Sequence, residues 1–270
     1  MKKRMKTVVV ANQKGGVGKT TLSRHLMFHG AEKGLRMLAV DLDVQGNFST
    51  TFENIEEENG YKRAREALAM PPQGLVVSGL FDAADHRKPL ACAENMHYVK
   101  ADSEIAVIER RDLEQVILAG QKRFAELSED FDVCVLDTGP SVSNLLVVAL
   151  SVGDFAVSPC KPDRDAVAGL AGFFSNVVRV RDETGINPTL APLGVLPNQV
   201  QKDRAYHRDT LAAMREHFGD VILPVMLYER AAIDVAKDRP VWRTERGESR
   251  SVAAQEMRAV CAHIYQRMGL

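Results

Sequence analysis

Short runs of consecutive apolar residues alternate along this chain with longer stretches in which apolar positions recur every three or four residues. The first pattern suits strands buried on both faces of a parallel sheet, the second amphipathic helices. Residues 7–10, 37–40, 96–99, 133–136, 155–159, 191–196 and 221–224 read as strands. Between them, helical spacing covers about 20–33 through Leu22, Leu26, Met27 and Ala31. It covers 104–127 through Ile105, Ile108, Leu113, Val116, Ile117, Phe124 and Leu127. Residues 165–181, 204–218 and 251–268 read as further helices, the last through Val252, Met257, Val260, Cys261, Ile264, Tyr265 and Met268. Gly34 stands where a glycine commonly follows a helix end. This alternation predicts an α/β fold, a single doubly wound, mostly parallel sheet with helices on both faces, as one domain over 1–270.

The stretch from Phe48 to about Asn95 is less regular. An acidic cluster (Glu53, Glu56, Glu57, Glu58) precedes helix-forming residues from Tyr61 to Met70, which Pro71-Pro72 breaks. Leu75, Val76, Val77, Leu80 and Phe81 suggest a short amphipathic turn or helix. The region reads either as a partner-facing element or as an ordinary solvated connection.

The chemistry begins at the first strand. It runs into Asn12-Gln13-Lys14-Gly15-Gly16-Val17-Gly18-Lys19-Thr20-Thr21, a glycine-rich turn that opens a helix. Strand, glycine loop and helix make a phosphate cradle: glycines let backbone N–H groups converge and the helix dipole adds positive potential. Lys19 then reaches the β- and γ-phosphates and the Thr20 hydroxyl a magnesium ion. Where the ordinary G-x-x-x-x-G-K-[ST] pattern has its first glycine, this chain has Gln13, and a second lysine, Lys14, precedes the glycines. The second strand ends in Asp41-Leu42-Asp43-Val44-Gln45-Gly46-Asn47, with both acids projecting to one side. In an open parallel sheet that end faces the ligand crevice. The strand at 133–136 leads to Asp137, a third carboxylate, opposite Thr20, followed by Thr138-Gly139-Pro140-Ser141.

These segments resemble the deviant P-loop ATPases of the ParA/MinD superfamily, ParA type, over almost the full chain. The resemblance implies a magnesium- and ATP-dependent enzyme that closes into a homodimer, with Lys14 contacting the partner's nucleotide. It implies that the loop Lys14, Gly15, Gly16, Val17, Gly18, Lys19, Thr20 and Thr21 holds ATP, and that Asp43 positions the attacking water. Thr20, Asp41 and Asp137 hold Mg²⁺, and Gly139 turns backbone N–H groups toward the γ-phosphate. Val44 departs from the family, which usually has proline there, and spares both acids. By the same resemblance Asn198, Pro224, Val225 and Met226 lie at the adenine base.

Composition narrows the function. With 45% hydrophobic and 26% charged residues and a formal net charge of −1, this is ordinary globular composition and no general polycation. Any DNA contact must come from a local patch. From Lys202 to Arg250 ten Lys/Arg face nine Asp/Glu, so only helix geometry can segregate a basic face. Arg204, Arg208 and Arg215, spaced by four and seven residues, are the candidates; a solvated face paired with Asp203, Asp209 and Glu216 is the equal alternative. Lys2, Lys3, Arg4 and Lys6 read as a solvated tail, with a minor phosphate contact as the alternative. Cys92, Cys134, Cys160 and Cys261 form no C-x-x-C pair and, with no signal peptide in view, read as reduced cytosolic thiols.

The superfamily offers several functions. A DNA-segregation ATPase would bind nonspecific DNA as the ATP dimer and be stimulated in slow hydrolysis by a ParB-like or other adaptor, in the cytoplasm on the nucleoid. A MinD-like ATPase needs a basic, apolar C-terminal anchor, whereas 262–270 offers only His263, Arg267 and a few apolar groups, so no stable membrane association is expected. An iron protein of the nitrogenase type needs a cysteine after Asp137, and none stands there. A sequence-specific DNA module needs a helix-turn-helix, for which the chain shows no segment ahead of its P-loop. A relative that positions a non-DNA cargo would look the same.

Overall fold

The computed structural model describes residues 4–68, 74–163, 166–243 and 251–270. Lys2, Lys3, Met70, Pro71, Pro72, Asp165 and the stretch 244–250 lie outside them. In chain order the strands are β1 (Lys6–Val10), β2 (Met37–Leu42), β3 (Leu90–Ala93), β4 (Met96–Val99), β5 (Val133–Thr138), β6 (Phe155–Cys160) and β7 (Ala191–Pro197). The helices are α1 (Lys19–Glu32), α2 (Asn47–Glu58), α3 (Tyr61–Ala67), α4 (Ile105–Ile108), α5 (Leu113–Leu127), α6 (Asn144–Val152), α7 (Ala166–Val178), α8 (Ala205–Phe218), α9 (Ala231–Val235) and α10 (Val252–Arg267).

The strands form one sheet in the order β3-β4-β2-β5-β1-β6-β7, parallel except for the β3–β4 pair at its edge. Side chains alternate between the two faces. Val8, Val10, Met37, Ala39, Val133 and Val135 pack in one cluster with α1, α2 and α10, while Val9, Leu38, Val40, Cys134 and Leu136 pack in another with α5 and α6. Chain order places β1 between β5 and β6, so its carboxyl end opens at the crevice where the winding reverses. The register sets Val10 beside Asp137 and Asp137 beside Asp41, which brings the three strand ends to one line.

Three departures from the sequence reading have local causes. Residues 221–224 form no ladder strand: a 3-10 turn occupies Gly219–Val221, Pro224 lacks an N–H, and one bridge, Val195 to Ile222, remains. The predicted helix 104–127 is two, α4 and α5, because Asp112 adopts an extended conformation and caps α5, accepting from the Gln115 N–H at 3.1 Å. Three helices and a strand escaped the pattern, among them α9, which is only five residues long. α6 is buried along its whole length apart from Asn144, so no polar face reveals its period. α2 follows directly on the Asp41–Asn47 segment, and β3 is only four residues long. The 3-10 turn at Val77–Phe81 sits where the sequence suggests it, buried against the second cluster. α10 is held by its core face, and the Lys6 ammonium donates to the carbonyls of Met268 and Gly269 at its end.

Candidate functional site

The P-loop leaves β1 and is moored to β6 before it turns. Asn12, buried, donates through its amide to Ser158 Oγ and the Pro159 carbonyl, both at 3.0 Å, and its Oδ1 accepts from the Lys14 N–H at 2.8 Å. Gly16 and Gly18 take positive φ of 72° and 90°, conformations that L side chains resist. Gln13, in place of the usual glycine, fits because its carboxamide lies where a Cβ on Gly172 of α7 would be. Thus a glycine absent from the loop is matched by one in the facing helix.

Lys19 begins α1, is buried, and donates to the Lys14 carbonyl at 3.2 Å, across the turn it would share with a phosphate. Burial lowers its pKa, and the charges of Asp137 and Asp43 oppose that shift. One turn of α1 grips Asp137: Thr20 Oγ1 donates to Oδ2 at 2.7 Å and Ser23 Oγ to Oδ1 at 2.8 Å. Asp137 is 1% exposed, and burial, followed by the charge of Asp41, pushes its pKa up to about 7 against these hydrogen bonds and Lys19. Asp41, equally buried, is raised mainly by burial; its Oδ2 accepts from the Ser49 N–H and Oγ, both at 2.7 Å, and its Oδ1 from the Asp43 N–H at 3.1 Å. It therefore ties the end of β2 to the first turn of α2. Asp43 is half-buried, with Oδ1 accepting from the Gln45 N–H at 3.0 Å, and its carboxylate lies 3.5 Å from the place of a Cβ on Gly139. The two loops that follow β2 and β5 thus touch at Asp43.

Lys14 does not reach out. Its ammonium pairs with Asp163 Oδ2 at 2.7 Å, just past β6, with both side chains part-exposed. Asn198 follows directly on β7 and is buried, its amide donating to the Val17 carbonyl at 2.7 Å, so in this chain it holds the P-loop itself. Pro224, Val225 and Met226 run beside that turn, since Leu227 N–H donates to the Pro197 carbonyl at 3.0 Å. Thr21 lies next to the site, its carbonyl accepting from His25. Arg204, Arg208 and Arg215 are all exposed on α8 and its N-cap; among the described residues none of them is in an ion pair with Asp203, Asp209 or Glu216.

Sequence reasoning missed Asn12, Ser23, Ser49, Asp163 and Gln199. Ser23 had a usable signal, standing three residues after Thr20 on the same helix face. Asn12 stands in the loop itself, whereas Ser49, Asp163 and Gln199 become neighbours of the site only when α2, the end of β6 and the turn after β7 converge on it.

A parallel sheet with a glycine loop, a buried lysine and paired aspartates at adjacent strand ends defines a P-loop nucleoside triphosphatase. The family model described as an AAA domain matches residues 5–191. Protein IncC from Escherichia coli is 32% identical over 270 residues, covering 98% of this chain and 70% of that protein. The chromosome-partitioning ATPase Soj of Thermus thermophilus is 31% identical over 227 residues, 82% of this chain and 80% of Soj. A plasmid partition protein of Borrelia burgdorferi, solved with AMPPNP, shares the fold with a TM-score of 0.75 at 19% identity, over 98% of this chain and all of that one. The chain belongs to the ParA-type partition ATPases of the ParA/MinD superfamily.

Proposed function

We propose that this protein is an ATP-switched partition ATPase that pairs with a second copy around two nucleotides and retains nonspecific DNA in that form. A ParB-like or other adaptor stimulates its slow hydrolysis, in the cytoplasm and on the nucleoid. The observation that supports this reading best is the meeting of Lys14, Lys19, Asp41, Asp43 and Asp137 at one crevice, in a chain that matches IncC along nearly its whole length.

In this reading the loop 14–21 holds the phosphates, Lys19 leaves the Lys14 carbonyl for the β/γ-phosphates, and Asp43 orients the attacking water. The donors suit magnesium: Thr20 and Asp137 are hard oxygen ligands already in contact, and Asp41 is beside them in register. Bound Mg²⁺ would neutralise charge on the phosphates. Asn198, Pro224, Val225 and Met226 would form the wall against the base. A membrane-positioning role finds no support in α10, whose apolar face is spent on the core, and no described helix is long and apolar enough to cross a membrane.

Electrophoretic retardation of DNA tests the proposal. The parent should bind unrelated sequences only with ATP and lose affinity steeply with salt, as contacted phosphates release counterions. Lys19→Ala should abolish retention, and Arg204→Glu with Arg208→Glu should abolish it while ATP binding persists. Retention by the double variant at parental affinity would move the contact to another surface, and a parent that never binds DNA would end this reading.

A further inference from the structure

We infer that Asn198 and Gln199 form a two-amide clamp that sets the P-loop's phosphate-binding N–H groups before nucleotide arrives. This rests on the nucleotide-binding reading above and adds to it positioning residues in the turn that follows β7.

A phosphate cradle works only if its peptide N–H groups converge, and each peptide unit is planar and trans, so its C=O points opposite to its N–H. The carbonyls of the loop must therefore face away from the phosphates and find partners there. Gln199 Nε2 donates to the Gly16 carbonyl at 2.8 Å and Asn198 Nδ2 to the Val17 carbonyl at 2.7 Å. These carbonyls belong to the peptide units that carry the N–H groups of Val17 and Gly18. Drawing both carbonyls toward the turn after β7 directs both N–H groups away from it. The next carbonyl, that of Gly18, accepts from the Leu22 N–H at 3.0 Å.

The turn that carries the clamp is itself anchored. Asn198 N–H donates to the Cys160 carbonyl at 2.8 Å and Val200 N–H to the Leu227 carbonyl at 3.0 Å. Gln199, between them, sits at φ 53°, a left-handed conformation in which a glutamine is strained. Its carboxamide reaches Gly16 from that conformation. The clamp also gives Gly18 a second reason to be glycine, because a Cβ there would collide with Asn198 Nδ2. Asn198 is 6% exposed, so an unmade bond to Val17 would leave its amide buried and unpaired.

Strain at residue 199 makes the idea testable, because relieving it and removing the clamp have opposite consequences. Gln199→Gly removes the carboxamide and accepts positive φ freely. Gln199→Asn also tolerates that conformation but is one methylene too short to reach Gly16. We expect calorimetric titration with ATP and Mg²⁺ to show both variants binding roughly three- to tenfold more weakly than the parent, the range of one hydrogen bond. The melting midpoint without nucleotide should stay level or rise. Parental affinity in both variants would overturn the clamp while leaving nucleotide binding intact. A midpoint that falls together with affinity would also overturn it, showing the glutamine to be a prop for the fold. A parent that fails to bind ATP would remove the nucleotide-binding reading, and the clamp with it.

Discussion

Single side chains at this site are held in states that cost stability, and that is where their function can be measured. Asp137 is buried next to Asp41, and its pKa of about 7 stands far above that of an unfolded aspartate. The folded chain therefore holds a proton that the unfolded chain has released, so this residue's contribution to stability falls as pH rises from about 4 to about 7. Asp137→Asn should raise the melting midpoint of the nucleotide-free protein at pH 8 and make little difference near pH 4. An equal gain at both pH values would show that its burial is not the cause. Asp43 lies where the loops after β2 and β5 meet, its Oδ1 accepting from the Gln45 N–H. Asp43→Ala should keep ATP binding and lose nearly all hydrolysis, measured as phosphate release; turnover at the parental rate would pass the water-positioning role to Asp41.

At the scale of elements, α1 is both the floor of the site and the surface on which a later segment docks. His25, fully buried on α1, donates from Nδ1 to the Thr21 carbonyl at 2.7 Å and accepts at Nε2 from the Val241 N–H at 3.2 Å. Both bonds require the neutral ring with its proton on Nδ1. Trp242 then packs edge-on to His25 with centroids 5.6 Å apart and donates to Glu32 at 2.9 Å, at the end of the same helix. Burial depresses the pKa of His25 to about 4, so the unfolded chain takes up a proton at higher pH than the folded one. This contribution is complete above pH 6.5 and lost as pH falls toward about 4. Melting scans should show the parent losing stability through that window more steeply than His25→Gln, which has no titrating ring. Parallel curves would place the acid sensitivity elsewhere.

In the proposed ATP dimer the whole molecule would supply one half of each site. Lys14 is paired with Asp163 in its own chain, at 2.7 Å, and a lysine that reaches a partner's nucleotide must give up that pair. Contacts present only in the dimer are what let ATP favour it. Lys14→Ala should therefore bind ATP and sediment as a monomer in its presence, while the parent sediments as a dimer. An ATP-dependent dimer of the variant with parental affinity would exclude the cross-subunit role.

The sequence alone settled the parts whose physics is local. Val8 to Val10 and Val133 to Leu136 are apolar on consecutive positions because parallel strands are buried on both faces. Gly16 and Gly18 are legible because the loop's backbone needs positive φ there. Asp41, Asp43 and Asp137 follow from strand ends facing a crevice, so the fold and most of the candidate site could be read before any coordinates. Helix α6 could not, since burial along nearly all its length erases the polar face that marks a period. Nor could the break at Asp112, where one cap outweighs an apolar spacing that runs straight through it. Only the tertiary structure decided that Asp163 holds Lys14, that Ser49 holds Asp41, and that Asn198 and Gln199 hold the loop rather than solvent. These partners are separated by up to 183 positions in sequence, and no propensity or periodicity carries information across such a distance. They meet because a doubly wound sheet gathers its strand ends along one edge, where each buried polar group must find its partner.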